Sequence, residues 1–210
     1  VWYAPSLKSE VGKWTLPAQR HAKVISTLLD QGFYFCGVHV GESNGSPEGR
    51  KTVSEFHAQV VKEFGLAQQA GLFPVRRGGL MHYNWAAEHP ELVRCIGAIY
   101  PVCDTSDRPG LAKASTVYGI PEKQLAAEWD KHNPLERLAP LAAARVPILH
   151  LHGDSDDVVP LERHSAELAR RYSELGGAIE LIVVKGKGHE FAAEYWENTR
   201  LPEFFAQHAD

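Results

Sequence analysis

The chain has 210 residues, of which 44% are hydrophobic, and a formal net charge of -4 from 22 Lys and Arg against 26 Asp and Glu. These values predict one domain, residues 1–210, with a sizeable core, and the absence of a long basic run argues against a nucleic-acid partner. No apolar run approaches the ~20 residues of a membrane span, and the first residues lack the pattern of a secretory leader, which indicates a soluble protein with no membrane partner.

Short apolar runs rich in β-branched residues predict the strands. Apolar residues occupy both faces of these runs, as is typical of a buried parallel sheet. The runs are FYFCGVHV (33–40), VRCIGAIYPVC (93–103), VPILHLHG (146–153) and AIELIVVKG (178–186). The three cysteines lie in or beside these runs without metal-ligand spacing, so we expect buried free thiols, a weak indication of the cytoplasm.

Segments with helical periodicity alternate with the strands. They cover residues 17–31, 52–64, 79–89, 161–175 and 195–208. Strict alternation of strand and helix predicts an open, doubly wound α/β sheet. Residues 105–141 are long for a connection and carry a helical pattern of their own at 121–132, so we expect a small cap inserted over the sheet edge.

In such a sheet, functional residues collect in the loops at the carboxyl ends of the strands. Asp156 lies in DSDDVVP after one predicted strand, and His189 lies in KGHEF after the next. A carboxylate followed by a histidine about thirty residues later is the order of acid and base in α/β-hydrolases. Helix capping by the aspartate cluster is the structural alternative for Asp156.

Taken together, H-G-D-S-D-D-V-V-P and G-K-G-H-E resemble the acid and histidine loops of the α/β-hydrolase superfamily. The likeness covers nearly the whole chain and is strongest to bacterial esterases and prolyl-oligopeptidase-like proteins, through RGGLMHYNWAAEHPE and IYPVCD. It implies the α/β-hydrolase fold, a carboxylic-ester hydrolase type of activity, and Asp156 and His189 as catalytic acid and base. No cofactor or metal is implied.

The resemblance also places the nucleophile elbow, the sharp strand-to-helix turn that normally exposes a serine. That region reads FPVRRGGL, and the serine position falls on Arg76. An arginine keeps its proton and cannot attack an acyl carbon. Arg77 resembles the arginine that follows the nucleophile in glucuronoyl esterases and helps to hold the oxyanion; an exposed ion-pairing arginine is the alternative.

A literal G-x-S-x-G occurs elsewhere, as G-E-S-N-G with Ser43 at its centre. The residues after Ser43, NGSPEGRKT, predict a loop and not an immediate helix, so the elbow geometry is not expected there. We interpret Ser43 as a turn residue and keep it as an alternative nucleophile. Its loop, including Glu42, is expected to line the rim of the pocket.

Two further features complete the predicted site. Residues 4–7 match the loop that usually supplies an oxyanion-hole N–H, which makes Ala4, Pro5 and Ser6 candidate substrate-binding residues. Superfamily members usually carry two strands before this point, so a truncated sheet or one completed by self-association is expected. His150 and His152 alternate on one strand and, without a third ligand, are interpreted as core and loop-orienting residues.

Two functions remain open on the sequence alone. One is a carboxylic-ester hydrolase with weak or no activity, working through Ser43 or through a water activated by His189. The other is a non-catalytic relative that uses Arg76 and Arg77 to bind a small anionic or carbohydrate-derived ligand. Loss of one member of a triad removes most of its rate, which favours the second, whereas the resemblance favours the first.

Overall fold

Five parallel strands form one sheet within residues 1–4 and 21–209, the part of the chain that this computed structural model describes. The sheet order follows the chain order. The strands are β1 (Trp2–Ala4), β2 (Ala70–Pro74), β3 (Val93–Ile99), β4 (Ile148–Gly153) and β5 (Ile179–Val184). All adjacent pairs are parallel, which confirms the predicted α/β sheet and brings the carboxyl ends of all five strands to the same edge.

Helices cover both faces of the sheet. They are α1 (Ala22–Asp30), α2 (Pro47–Phe64), α3 (Gly78–Glu88), α4 (Leu111–Tyr118), α5 (Glu122–Ala127), α6 (Ala139–Ala143), α7 (Ser165–Glu174), α8 (Ala193–Trp196) and α9 (Arg200–Gln207). One apolar core joins the sheet to α2, α3, α6 and α7, and a second joins it to α1, α8 and α9. The sheet is therefore doubly wound, because alternate strand residues are buried on opposite sides.

The predicted strand at residues 33–40 is wrong. This segment makes a single parallel bridge, between Cys36 and Trp2, with hydrogen bonds from Tyr3 N to Cys36 O (2.8 Å) and from Cys36 N to Val1 O (3.0 Å). It therefore covers part of the edge of β1 that was expected to be exposed. Cys36 is only half-buried, whereas Cys95 and Cys103 are buried, and all three thiols are free.

Helix α2 begins five residues earlier than the periodicity predicts. Ser46 caps it by accepting a hydrogen bond from Gly49 N at 3.2 Å, and Pro47 occupies the first helical position. Serine at the cap and proline directly after it are strong start signals, because they satisfy or remove the free N–H groups of the first turn. The Gly, Pro and Ser residues that suggested a loop are thus the start of a helix.

Local hydrogen bonds also divide two predicted helices. Residues 161–175 form a short 3-10 turn at Leu161–Arg163 and then α7; His164 separates them, and its Nδ1 accepts from the backbone N–H groups of Cys103 and Asp104. Residues 195–208 are interrupted after α8, where Asn198 Oδ1 accepts from Arg200 N at 2.9 Å. Such side-chain contacts compete with helix continuation.

The segment from residue 105 to 141 contains α4, α5 and two short 3-10 turns, Trp129–Lys131 and Pro134–Glu136, and reaches the start of α6. The predicted helix at 121–132 is found as α5 followed by the first of these turns. Asn84 donates to His132 O at 2.9 Å, and Arg137 pairs with Glu88 at 3.2 Å, so the segment packs on α3. Its role as a cap stays a prediction.

Candidate active site

The loop after β4 carries Asp156, whose side chain is buried and held by the backbone. Its Oδ1 accepts hydrogen bonds from Val158 N (3.0 Å) and Val159 N (2.7 Å), and its Oδ2 lies 2.9 Å from His189 Nδ1. The backbone bonds are those of an Asx turn, so the loop itself fixes one carboxylate oxygen and leaves the other to the histidine. The structure thus brings together Asp156 and His189, the two residues the sequence predicts to meet.

Burial alone raises the pKa of the Asp156 carboxyl, but the nearby His152, the contact with His189 and the hydrogen bond from Val159 N outweigh it and hold the pKa well below the usual range. The group is therefore an ionised carboxylate at neutral pH. A carboxylate can only accept, so His189 Nδ1 carries the proton in this contact. The other ring nitrogen, Nε2, is then the one that Asp156 does not engage.

The loop that carries His189 is fixed on both sides of the histidine. Tyr195 Oη donates to Gly188 O at 3.1 Å, and Tyr100 Oη donates to Glu190 O at 3.2 Å. The Tyr100 ring also lies against the imidazole, with 4.8 Å between ring centroids. Backbone carbonyls held by buried hydroxyls restrict the loop, so the histidine is oriented by more than its carboxylate.

The acid loop and the histidine loop are also joined directly. Asp154 Oδ1 accepts from Gly186 N at 2.7 Å, and Ser155 N donates to Lys187 O at 3.0 Å. Gly153 permits this approach, because a Cβ at that position would lie 1.9 Å from Lys187 O. Asp154, which lies in the same aspartate cluster as Asp156, therefore has a structural role in joining the two loops.

Arg76 lies in the tight turn between β2 and α3. Its φ is +54°, a left-handed conformation that is rare for a residue with a Cβ. Gly79 N donates to Arg76 O at 3.0 Å, and Val102 N donates to the same oxygen at 2.8 Å. A Cβ on Gly79 would lie 2.3 Å from Val102 O, so glycine is needed for this close packing.

The Arg76 side chain lies between two aromatic rings. Its Cζ is 4.8 Å from the Phe191 ring centroid and 5.8 Å from that of Tyr100. These are cation–π distances, and Tyr100 is the ring that His189 also contacts. Burial raises the pKa of the Tyr100 hydroxyl, and the nearby Arg76 opposes that rise. Arg76 and His189 therefore both lie against the Tyr100 ring.

The guanidinium has unused hydrogen-bonding capacity. Nε of Arg76 is buried without a hydrogen-bond partner among the described residues. The ion pairs of the described residues next to it join Arg77 to Glu42 and His189 to Asp156, and neither includes Arg76. A partly buried cation that has no carboxylate partner in the described part of the chain is a site that favours an anion.

Other predicted substrate-binding residues lie close to this turn. Arg77 is exposed and forms an ion pair with Glu42 at 2.8 Å, so the turn contacts the loop that contains Ser43. Ala4 is buried at the end of β1, and its carbonyl accepts from Val75 N at 3.0 Å. Pro5 and Ser6 lie outside the described residues. The oxyanion and substrate-binding roles of all five stay predictions.

Ser43 is 8% exposed, and its hydroxyl is buried without a hydrogen-bond partner among the described residues. A Cβ on Gly49 would lie 2.6 Å from Ser43 Oγ, so the hydroxyl packs against the first turn of α2. The helix begins sooner after Ser43 than predicted, but no regular strand leads into it. The left-handed residues of this turn are Asn44, with φ +48°, and Gly45, with φ +78°, and not Ser43. The geometry is that of a helix-entry turn.

His150 and His152 are fully buried and hydrogen-bonded to protein groups, Tyr83 Oη, Ser165 Oγ and Val159 O. Among the described residues no group of three or more His, Cys, Asp or Glu side chains is arranged to hold a metal ion. Sequence reasoning missed Tyr100, Phe191 and Tyr195 as parts of the site. Tyr100 lies within the predicted strand 93–103, whereas the observed strand β3 ends just before it, at Ile99. Ser165 gave no sequence signal, because it lies inside a predicted helix.

Comparison with known proteins places this geometry in a family. Residues 76–210, more than half of the chain, match the model of the prolyl oligopeptidase family, Peptidase_S9. No curated protein sequence matches the chain.

None of the helices in the described residues is both long and apolar enough to cross a membrane.

Solved structures show the same fold at low sequence identity. MPT51 (FbpC1) of Mycobacterium tuberculosis is similar with a TM-score of 0.70 at 13% identity, over 100% of this chain and 86% of its own. A truncated carbohydrate esterase from gut microbiota gives 0.69 at 15%, over 99% of this chain and 84% of its own.

The acylaminoacyl peptidase of Pyrococcus horikoshii gives a TM-score of 0.61 at 18% identity, over 80% of this chain. The chain spans only 29% of that peptidase. The fold is therefore that of the α/β-hydrolases, and the chain belongs to the prolyl oligopeptidase family.

Proposed function

We propose that this protein is an α/β-hydrolase of the carboxylic-ester hydrolase type whose nucleophile position is occupied by Arg76. Asp156 and His189 act as acid and base, and the protein has weak or no acyl-transfer activity as it stands. The observation that carries the proposal is the left-handed turn at Arg76, between a parallel strand and the following helix. A serine in such a turn is the nucleophile of this fold.

The chemistry of the side chains supports low activity. A guanidinium keeps its proton and has no lone pair for attack on an acyl carbon, so Asp156 and His189 have no hydroxyl to activate at the turn. In triads that act as a unit, loss of the nucleophile removes nearly all of the rate contributed by the other members. Slow attack by a water activated at His189 Nε2 is the route that remains.

The direct test is the variant Arg76→Ser, compared with the unmodified chain on short-chain aryl esters and on uronate esters. We expect hydrolysis to rise by about 10²-fold or more, the scale of catalysis by a positioned base. The matched control is Arg77→Ser, which removes the adjacent, exposed arginine and should give no such gain.

A second comparison ties any activity to the predicted pair. In the Arg76→Ser background, His189→Ala should abolish the gain, because the serine would lose its general base. Rapid turnover of neutral aryl esters by the unmodified chain that survives His189→Ala would overturn the proposal, since it would require a different nucleophile and base.

A second function is favoured by Arg76, whose Nε has no hydrogen-bond partner among the described residues. We propose as the alternative a pseudo-hydrolase that binds a small anion or a carbohydrate-derived ligand such as a uronate. A carboxylate between Arg76 and His189 would meet a bidentate donor on one side and an imidazole nitrogen on the other. The similarity to a carbohydrate esterase suggests this ligand class. Self-association into a homo-oligomer, which the sequence led us to expect, is a separate proposal.

A further inference from the structure

A continuous chain of buried side chains leads from α3 to the acid loop. Tyr83 Oη lies 2.7 Å from His150 Nε2; His150 Nδ1 lies 2.8 Å from Ser165 Oγ; and Ser165 Oγ lies 2.7 Å from His152 Nδ1. His152 Nε2 ends the chain, 2.7 Å from Val159 O. All four side chains are buried, so solvent does not satisfy any of these groups.

One assignment of tautomers satisfies every polar hydrogen in this chain. Val159 O can only accept, so His152 Nε2 carries a proton, and we assign His152 Nδ1 as the acceptor from Ser165. Ser165 has one proton, which it gives to His152, and it must therefore accept from His150 Nδ1. Burial, with a smaller contribution from His152, lowers the pKa of His150 to about 3, so this ring is neutral and its Nε2 accepts from Tyr83.

The same assignment satisfies Tyr83. Burial, together with Cys103 and Tyr172, raises the pKa of its hydroxyl well above the ordinary value, so the group stays protonated and donates. Each polar hydrogen in the chain then has one acceptor, and all four bonds point toward the acid loop. Chains of this kind strengthen each bond by polarisation and lose that gain when one member is removed.

The chain ends on the residues that hold Asp156. Val159, whose carbonyl accepts from His152, donates its own N–H to Asp156 Oδ1 at 2.7 Å. His152 Nε2 also lies 3.6 Å from Asp156 Oδ2, the oxygen that contacts His189. The same nitrogen of His152 therefore holds the turn through Val159 O and lies beside the Asp156 carboxylate.

We propose that Tyr83, His150, Ser165 and His152 form a positioning network that holds the Asp156 carboxylate against His189. Ser165 is its central member, because its hydroxyl joins α7 to β4 by contacting both His150 and His152. None of the four touches the reacting atoms; they act through Asp156. The importance of the network for hydrolysis rests on the function proposed above, whereas its effect on the Asp156–His189 contact does not.

The test uses proton NMR of the His189 Nδ1–H signal in the otherwise unmodified chain. Ser165→Ala should speed the exchange of this proton with water by about tenfold or more, the effect expected when a buried hydrogen-bond partner is lost. Ser173→Ala is the matched control, since Ser173 is exposed on the same helix. Unchanged amide exchange in β2 and β3 would show that the sheet is intact.

A second variant covers the case in which Ser165→Ala does not fold. Tyr83→Phe removes only the terminal hydroxyl and keeps the ring in the core. It should shift the His189 Nδ1–H signal and speed its exchange by a smaller factor, because the lost bond is three links from Val159. The network would be overturned if the His189 Nδ1–H proton exchanged in Tyr83→Phe at the same rate as in Ser173→Ala. The same holds for Ser165→Ala if that variant folds.

Activity gives an independent readout. In the Arg76→Ser background, Ser165→Ala should lower kcat with little change in KM, because a misplaced acid weakens the base and not substrate binding. If Arg76→Ser has no hydrolytic activity, the proposed function fails, and the exchange measurement still decides whether the network exists.

Discussion

Asp156 and His189 are 33 residues apart in the chain, yet Oδ2 of the aspartate lies 2.9 Å from Nδ1 of the histidine. The contact forms because β4 and β5 are adjacent and parallel, so that the loops at their carboxyl ends lie side by side. The contact between the proposed acid and base is therefore a direct product of strand order, and it forms in a chain whose proposed nucleophile position holds Arg76.

Replacement of Ser43 by alanine should leave ester hydrolysis unchanged, whether in the unmodified chain or in Arg76→Ser. The hydroxyl is buried against α2 without a described partner, so its removal should not lower the free energy of unfolding. Parallel rate measurements and urea titrations check both statements. A loss of activity of about 10³-fold or more would identify Ser43 as the nucleophile.

Small carboxylates such as acetate and glucuronate should bind to the unmodified chain, and binding should weaken with added salt because the attraction is electrostatic. Arg76→Gln should abolish binding measured by calorimetry or by NMR titration, since glutamine lacks the charge and the fork of donors. Arg170→Gln, which removes an exposed arginine on α7, is the control. Equal affinity in Arg76→Gln and the unmodified chain would place the anion elsewhere.

Stability should fall in acid partly through Asp156. Its pKa in the folded protein is below the ordinary value, so its contribution is complete above the unfolded pKa, about 3.9, and is lost as pH falls from there toward the folded value. The slope attributable to one such group is at most ~1.4 kcal/mol per pH unit. Urea unfolding at several pH values between about 5 and 2 should therefore show a steeper decline in the unmodified chain than in Asp156→Asn. If the free energy of unfolding declined equally in the two proteins, Asp156 would not contribute to the loss of stability in acid.

Addition of a methyl group at Gly153 should displace the histidine loop. The new Cβ would meet Lys187 O at 1.9 Å and Tyr195 Oη at 2.3 Å, so Gly153→Ala should lower the free energy of unfolding by about 1–3 kcal/mol. In the Arg76→Ser background it should also reduce hydrolysis. Gly97→Ala, which meets Leu201 and Phe205 under α9, is the control that destabilises the core without touching the site. Equal kcat in both variants would show that the loop tolerates the shift.

The sequence alone predicted the parallel α/β sheet, most of its strands, and Asp156 and His189 as neighbours. These inferences depend on patterns that local chemistry enforces: apolar runs that must be buried on both faces, and loops that must follow them. The same local reasoning was wrong at residues 33–40, where a β-rich run makes only one bridge, and at α2, where a Ser-Pro start signal was read as a loop.

Only the tertiary structure decided what surrounds the pair. That Arg76 lies between Phe191 and Tyr100, that Tyr100 also contacts His189, and that Ser165 joins His150 to His152 depend on residues distant in the chain. No periodicity encodes such contacts, because each depends on how helices and loops pack over the sheet. The sequence determined which chemical groups reach the functional edge, and packing determined which of them touch.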